Sequence, residues 1–260
     1  MAADDELLRS QVAQTWRKEL RQLEWLGVAD GQSILELGCG PGWITERLLE
    51  AYPNSAITAL DNHAERLAQG RARLHPVAPE RLQWREARAE SSGLASESFD
   101  LVYARFLFHY VEDPLVLARE ALRVLKPGGM LVVTEIDDGL FGVTSPEVPE
   151  LASVLERVAR ARQGKGGDRH RGRELRGLLA KAGFDAIDLD AIAFDTTDMG
   201  HAASLPQLGP AHLRRLAQAG VLRDDEEARW TAAGERFLAD PDAYVLRLFL
   251  VCRGRKPQRA

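Results

Sequence analysis

Three glycines at alternate positions directly follow an apolar segment, and this feature restricts the fold most. The segment reads Ile34-Leu-Glu-Leu-Gly-Cys-Gly-Pro-Gly42. Glycine has no Cβ, so it adopts turn conformations closed to other residues and lets a ligand approach the backbone. Apolar residues then recur with helical spacing at Ile44, Leu48 and Leu49. The pattern predicts a strand, a glycine turn and a helix whose N-terminus faces a nucleotide-like ligand at the edge of a parallel sheet.

The spacing of the glycines separates two classes of nucleotide ligand. A dinucleotide-binding fingerprint has the form Gly-x-Gly-x-x-Gly. Its third glycine would fall at residue 43, which is Trp43, and the segment instead reads Glu-x-Gly-x-Gly-x-Gly from Glu36 to Gly42. The spacing therefore disfavours a nicotinamide-dependent oxidoreductase, which ligand binding would test directly.

Apolar segments of strand length alternate with helical segments along most of the chain. The predicted strands are Ser33–Leu37, Ala56–Leu60, Leu82–Ala87, Phe99–Ala104, Met130–Ile136, Phe184–Phe194 and Ala243–Cys252. Such alternation implies βαβ units. We expect an α/β fold, a Rossmann-like, doubly wound and mostly parallel seven-stranded sheet with helices on both faces and a helical cap.

The length of 260 residues suits one large core. We expect one domain over residues 1–260, which begins with an N-terminal lid helix within residues 1–30. Residues 31–138 are expected to form a cofactor-binding core, and 183–194 and 241–254 the terminal strands. The expected cap over the substrate cleft comprises residues 139–182 and 195–240.

Composition excludes several classes of protein. A net charge of −5 disfavours a nucleic-acid partner. The two cysteines, Cys39 and Cys252, are too few for a disulfide framework or a Cys-rich zinc site. We find no metal-ligand spacing, no apolar run of the roughly 18 residues that span a bilayer and no signal-peptide pattern. We expect a cytoplasmic monomer or homodimer without metal, membrane or nucleic acid.

Several segments together resemble the class I methyltransferases that use S-adenosylmethionine. The segment Glu36–Gly42 resembles their motif I, and Ala104–Pro114 resembles motif IV of the small-molecule type found in ubiquinone and menaquinone biosynthesis. Lys126–Val133 is similar to the family's turn and fifth strand, Gly167–Phe184 to its approach to the sixth strand, and Leu250–Pro257 to its terminal strand. The resemblance covers nearly the whole chain. It implies in-line transfer of a methyl group to an O, N or C atom of a small-molecule acceptor, with release of S-adenosylhomocysteine.

The resemblance also implies a cofactor site along the strand ends. Asp61 would accept the protons of both ribose hydroxyls, although capping a helix is the alternative role for an aspartate there. Arg88 stands where the family has an aspartate; an arginine has only donors, so it would stack on the adenine. The implied cofactor-binding residues are Glu36, Gly38, Cys39, Gly40, Gly42, Asp61, Asn62, Arg88, Ala89 and Arg105.

His109 is the candidate catalytic residue, because imidazole can take a proton near neutral pH. The alternative is that it braces the loop beside Glu112 and Asp113. Residues 157–176 are rich in arginine, which indicates either a solvated helix face or an anion site formed by His170, Arg171 or Arg173. The candidate substrate-binding residues are Trp16, Phe108, Tyr110, Asp137, His170, Arg171 and Arg173.

Three other functions remain open from the sequence. The chain could bind S-adenosylmethionine in a regulatory role, or use it in a reaction that transfers no methyl group. An RNA or protein methyltransferase is less favoured, because Ala104–Leu107 stands where amino-group methyltransferases of that kind carry Asn/Asp-Pro-Pro-Tyr.

Overall fold

The computed structural model describes residues 2–75, 77 and 80–258. Its strands are β1 (Ser33–Leu37), β2 (Ala56–Asp61), β3 (Leu82–Glu86), β4 (Phe99–Arg105), β5 (Leu125–Glu135), β6 (Gly142–Ser145), β7 (Asp185–Asp195) and β8 (Tyr244–Arg255). Its α-helices are α1 (Ala2–Trp25), α2 (Trp43–Ala51), α3 (Ala64–Leu74), α4 (Pro114–Val124), α5 (Pro149–Gln163), α6 (Leu175–Ala182), α7 (Thr196–Met199), α8 (Pro210–Gln218) and α9 (Asp224–Ala239).

The strands form one sheet in the hydrogen-bonded order β3-β2-β1-β4-β5-β8-β6. Strands β5 and β6 pair with successive parts of one edge of β8, and β7 pairs along its other edge. Strands β1 to β5 run parallel, and β8 runs antiparallel to β5, β6 and β7. The α/β class and the mostly parallel Rossmann-like sheet are therefore confirmed. The carboxyl ends of β1, β2, β4 and β5 meet at one edge, which is where ligands bind in such sheets.

The prediction of seven strands is wrong, because the sheet has eight. The missed strand is β6, whose four residues are too few to give a periodic signal. Strand β8 continues past the end of β5, where Glu135 lies opposite Leu250. The part of β8 beyond β5 would otherwise have unpaired backbone groups on that edge. Strand β6 pairs with this part, with Gly142 opposite Arg247 and Ser145 opposite Tyr244.

Alternation along the strands builds two core layers. Tyr103 and Val132 face a layer that includes α1 and α2, which we call the α1 face. Val102 and Leu131 face a layer that includes α4 and α6, which we call the α4 face. Both faces of the central strands are buried, so their sequences are nearly continuous apolar runs, as expected for parallel strands.

Helix α4 begins where the sequence predicted it. Pro114 occupies the first turn, and the Asp113 carboxylate accepts hydrogen bonds from the N–H groups of Leu115 and Val116. Strand β5 begins at Leu125 rather than at Met130, because the Pro-Gly-Gly turn is extended and a register shift separates its two pairings with β4. In the described part of the chain, no helix is long and apolar enough to cross a membrane.

Candidate functional site

The glycine turn is tied to the end of β2 by backbone hydrogen bonds. The N–H groups of Gly38 and Cys39 donate to the Leu60 carbonyl at 2.8 and 3.0 Å. Gly40 has φ 53°, and a Cβ built there would meet no atom within 4 Å. We call the space over residues 38–42 and Asp61 the crevice. At Gly40 it leaves room for a ligand to reach the backbone.

Asp61 links the end of β2 to the turn. Its Oδ2 accepts the Gly40 N–H at 2.8 Å, and its Oδ1 accepts the His63 N–H at 2.8 Å. The residue is 8% exposed. A carboxylate has about four lone-pair sites, so each oxygen retains acceptor capacity toward the crevice. The adjacent Asn62 is exposed.

Glu36 lies beneath the turn rather than in contact with solvent. The Thr45 hydroxyl, in α2, donates to its carboxylate at 2.6 Å. Burial raises the pKa of Glu36 to about 7; the Thr45 hydrogen bond opposes this shift and the charge of Asp61 adds to it. Glu36 therefore joins β1 to α2 and is partly protonated at neutral pH. Cys39, in the same turn, is a buried free thiol.

Arg88 and Ala89 follow the end of β3 and differ in exposure. Arg88 is exposed, and its guanidinium donates to Glu90 at 2.7 Å. Ala89 is buried.

Arg105 is occupied by the N-terminal helix. Its Nε and Nη2 donate to the two carboxylate oxygens of Glu19 at 2.7 and 2.9 Å, and Nη2 also donates to Thr15 at 3.1 Å. The Tyr103 hydroxyl donates to Glu19 at 3.3 Å. Burial is the largest single effect and acts to lower the pKa of Arg105, but the charge and hydrogen bonds of Glu19, together with Tyr103 and Glu135, outweigh it and the net shift is upward. The pair fixes α1 over the end of β4.

His109 forms a buried pair with Glu135 at the end of β5. The imidazole Nδ1 lies 2.6 Å from Glu135 Oε1, and the His109 backbone N–H donates to Oε2 at 3.1 Å. An ionised carboxylate only accepts, so a neutral imidazole in this pair has its proton on Nδ1 and Nε2 as its acceptor. No side chain or backbone group in the described chain bonds to Nε2.

Residues 168–174, which we call the strap, lie across the end of β5. The Asp168 N–H donates to the His109 carbonyl at 3.0 Å, and the Gly172 N–H donates to the Ile136 carbonyl at 3.1 Å. Arg169 pairs with Asp138. These contacts connect the segment between α5 and α6 to the sheet edge beside His109.

The other two strap arginines also have carboxylate partners. Arg173 donates from Nε and Nη2 to the buried Asp137, each at 2.6 Å. That partner raises the pKa of Arg173 against the opposing effect of burial. Arg171 pairs with Glu174 at 2.5 Å. Both guanidinium groups therefore have a carboxylate counter-ion.

The remaining candidate substrate residues occupy different environments. Trp16 is partly buried and packs against the α1-face core. Phe108 has no exposed surface and lies in the α4-face core, so it does not line a cleft. Tyr110 is 52% exposed, and its ring contacts the His109 ring and the Arg162 guanidinium.

A cavity of about 770 Å³ opens between α5 and the segment after β5. This volume is within the range of small-molecule sites. Its walls include Asp138, Phe141, Leu151, Leu155 and His170. The crevice and this cavity therefore lie on two sides of the β5 end. The described residues contain no cluster of His, Cys, Asp and Glu that could hold a metal.

Three residues of this region were not predicted from the sequence: Glu19, Thr45 and Arg247. Arg247 could have been found as a charged residue inside an apolar strand, since β8 reads Tyr-Val-Leu-Arg-Leu-Phe-Leu-Val. Nothing in the local sequence pairs Glu19 with Arg105, because they belong to separate elements.

A family model described as a methyltransferase domain matches residues 35–133. A malonyl-[acyl-carrier protein] O-methyltransferase of Hahella chejuensis is 34% identical over 105 residues, which are 40% of this chain and 37% of that protein. A ubiquinone/menaquinone biosynthesis C-methyltransferase of Paracoccus denitrificans is 33% identical over 133 residues, 50% of this chain and 52% of that protein. The matches thus span about two fifths to one half of those relatives.

The fold is also found among solved structures. Phosphoethanolamine N-methyltransferase 2 of Haemonchus contortus, in complex with phosphomonomethylethanolamine and S-adenosylhomocysteine, superposes with a TM-score of 0.63 at 19% identity. The superposition covers 94% of this chain and 53% of that one. At this identity the likeness establishes the fold.

Proposed function

We propose that this chain, a member of the class I S-adenosylmethionine-dependent methyltransferases, transfers a methyl group from S-adenosylmethionine to an O, N or C atom of a small-molecule acceptor. S-adenosylhomocysteine is the product. The observation that carries the proposal is the crevice, where open space at Gly40 faces the Asp61 carboxylate. The family match over residues 35–133 and the names of the relatives support the same reaction.

The crevice fits the cofactor on the chemistry of its donors and acceptors. Asp61 would bind the two ribose hydroxyls through its unused lone pairs. The turn at Gly38 to Gly42 would admit the amino-acid part against the backbone, above the buried Glu36. Ala89 and Asn62 would flank the adenine, with Arg88 able to stack on the ring once released from Glu90.

When bound, the cofactor supplies a methyl group already activated by a positively charged sulfur. The protein's remaining tasks are to align the acceptor and to exclude water, which together can contribute several kcal/mol. Helix α1 covers the edge of the sheet through the Glu19–Arg105 pair. The strap and the α5 cavity bound the opposite side.

His109 is the base for an acceptor that still carries a proton. Glu135 holds the imidazole through Nδ1, so Nε2 takes the acceptor's O–H or N–H proton. Glu135 acts through His109 and is a positioning residue. Asp137 positions the strap through Arg173 rather than binding the acceptor itself.

The acceptor carries an anionic group under this proposal and occupies the cavity beside His170. The chain acts in the cytoplasm as a monomer or homodimer, without nucleic acid or membrane. Its net charge of −5 supports the absence of a nucleic-acid partner.

Calorimetric titration with S-adenosylmethionine and S-adenosylhomocysteine tests the cofactor. We expect micromolar binding that weakens at least tenfold, about 1.4 kcal/mol, in Asp61→Ala. Asp30→Ala is the matched control, because Asp30 also accepts backbone N–H bonds but lies away from the crevice. If neither ligand binds the wild-type chain, the proposal fails.

Turnover tests the reaction. Release of S-adenosylhomocysteine is followed with a panel of small carboxylate- and phosphate-bearing acceptors. With the acceptor that reacts, His109→Gln should lower kcat by about 10²- to 10⁴-fold, and Glu135→Gln should lower it less and change its pH profile. Cofactor binding without transfer to any acceptor would favour a regulatory role instead.

A further inference from the structure

Arg247, in β8, carries a charge without a counter-ion among the described residues. Its Nε is closed off from solvent and has no hydrogen-bond partner. The one contact of the guanidinium with a described polar atom is weak, from Nη1 to the Met199 sulfur at 3.9 Å. Unpaired charges of this kind are expensive to keep in a protein interior.

The neighbouring charges are already paired with each other. Asp138 is bound by Arg169, and Glu19 is bound by Arg105. These two pairs leave Arg247 as one surplus positive charge. Burial lowers the pKa of Arg247 to about 10; Asp138 opposes that shift, while Arg169 and Arg105 add to it. The side chain is therefore still cationic at neutral pH.

Strand topology puts Arg247 at the ligand-binding edge of the sheet. Strand β8 is antiparallel, and Leu250 lies opposite Glu135 at the carboxyl end of β5, so Arg247 projects beyond that end. Val251 lies opposite Thr134. Since side chains alternate along a strand, Arg247 shares the α1 face with Thr134 and Val251.

Aromatic rings surround the guanidinium. Its Cζ lies 5.3 Å from the Phe141 ring centre and 5.7 Å from that of Phe249. Phe141 is a wall of the α5 cavity, and Phe249 makes an edge-to-face contact at 4.8 Å with Phe106, just after β4. Arg247 therefore lies between the cavity and the end of β4. Apolar walls strengthen the attraction of an incoming anion.

We infer that Arg247 is the anion-binding residue of the acceptor cleft, and that the acceptor presents a carboxylate or phosphate group to its guanidinium. The inference rests on the proposed function and names the acceptor's chemical class. A planar guanidinium matches both kinds of oxyanion. Arg171 and Arg173 do not compete for this group, because Glu174 and Asp137 hold them.

The test uses the full chain saturated with S-adenosylhomocysteine. Thermal unfolding and calorimetry are run with succinate, citrate or inorganic phosphate against chloride at matched ionic strength. The variants are Arg247→Met and Arg247→Lys. Arg253→Met is the matched control, since Arg253 lies on the same strand but is held by the Leu26 carbonyl and Asp188.

We expect an oxyanion to raise the Tm of the wild-type chain and of Arg253→Met, but not that of Arg247→Met. Its affinity should fall at least tenfold in Arg247→Met and less in Arg247→Lys. Without anions, Arg247→Met should be at least as stable as the wild type, because it removes an unpaired charge. A response to succinate and citrate identifies a carboxylate site, and a response to phosphate alone identifies a phosphate site.

Two results overturn the inference. One is a rise in Tm with oxyanion that is equal in the wild type and Arg247→Met. A rise in the wild type that does not exceed the rise with chloride counts equally. The other is a loss of several degrees in Tm for Arg247→Met without anions, which indicates a structural role. Failure of S-adenosylhomocysteine to bind the wild-type chain is separate and contradicts the proposed function.

Discussion

In the crevice, backbone N–H groups make most of the polar contacts, whereas charged side chains make them around the ends of β4 and β5, the region that we call the acceptor side after the function proposed for it. Gly38, Cys39 and Gly40 donate their N–H groups to the end of β2. On the acceptor side the corresponding contacts are the pairs Glu19–Arg105, His109–Glu135 and Asp137–Arg173. The first region depends on backbone conformation and the second on matched charges.

The difference determines how each region fails. A backbone turn loses order when a side chain prevents the required dihedral angles. A buried ion pair fails when one partner is removed, because the other charge is left uncompensated in the interior. A variant that leaves a fully buried charge without its carboxylate partner should therefore lower stability more than a small side chain added to the crevice.

Glu19→Ala should have the largest effect. It leaves the Arg105 guanidinium buried at the end of β4 without a carboxylate partner, with the Thr15 hydroxyl and the Phe106 ring as its remaining contacts. We expect a loss of about 3–5 kcal/mol in the free energy of unfolding, measured by urea titration.

The matched control removes both charges at once. The double variant Glu19→Leu with Arg105→Leu should recover most of that loss, because no charge is left unpaired. A loss below about 1 kcal/mol in Glu19→Ala, or a double variant as unstable as the single one, would contradict the role assigned to this pair.

Glu36 should make the ligand-free chain less stable as pH rises. Its pKa is about 7 in the folded chain and near the ordinary 4.5 when unfolded, so between these pH values the folded state binds more protons. The contribution that Glu36 makes to the free energy of unfolding is complete below pH 4.5 and is lost as the pH rises through about 7. The shift corresponds to about 3 kcal/mol.

Urea unfolding at pH 5 and pH 8 measures this effect. The decrease in the free energy of unfolding from pH 5 to pH 8 should be smaller in Glu36→Gln than in the wild type. Glu50→Gln, which changes an exposed residue, should leave that decrease unchanged. An identical pH dependence in Glu36→Gln and the wild type would mean that Glu36 titrates normally, against its burial beneath the turn.

The crevice could be predicted from sequence and much of the acceptor side could not. Gly38 to Gly42 and Asp61 are encoded by local spacing, which fixes a turn and a strand end. Strand β1 begins and ends where predicted, at Ser33 and Leu37. Strand β6 was missed, because its partner residues in β8 come about a hundred residues later and give it no local signal.

The charged contacts follow the same logic. Periodicity shows that Glu19 lies on a helix and Arg105 at a strand end, but not that the two meet. The arginine-rich segment 157–176 suggested free cations, yet Arg171 and Arg173 each have a carboxylate partner. Two other arginines of the described residues lack a carboxylate partner near this edge of the sheet: Arg162, in that segment, whose guanidinium contacts the Tyr110 ring, and Arg247, in β8. Counter-ions are assigned by the fold rather than by local composition.

Two glycine variants separate stability from binding within the crevice. Gly42 has φ 79°, and a Cβ there would lie 2.8 Å from the Trp84 ring, so Gly42→Ala should cost about 2 kcal/mol of stability. Gly40 faces open space, so Gly40→Ala should cost about 1 kcal/mol, from its backbone conformation alone.

Binding should rank these two variants in the opposite order. Calorimetry with S-adenosylhomocysteine should give at least a tenfold loss of affinity for Gly40→Ala, because its methyl group enters the ligand space. A Gly40→Ala chain that binds as well as the wild type would move the ligand away from this part of the turn.

Arg173→Ala should have the smallest effect. Its guanidinium is half exposed, and the buried Asp137 that it leaves still accepts the N–H groups of Gly139 and residue 173 at 3.0 and 3.2 Å. We expect a loss of about 1 kcal/mol in the free energy of unfolding. Affinity for succinate, citrate or phosphate should not change, in contrast to Arg247→Met. A tenfold loss of anion affinity in Arg173→Ala would place the anion site on the strap, and the acceptor side would then recognise its ligand through residues that also hold it together.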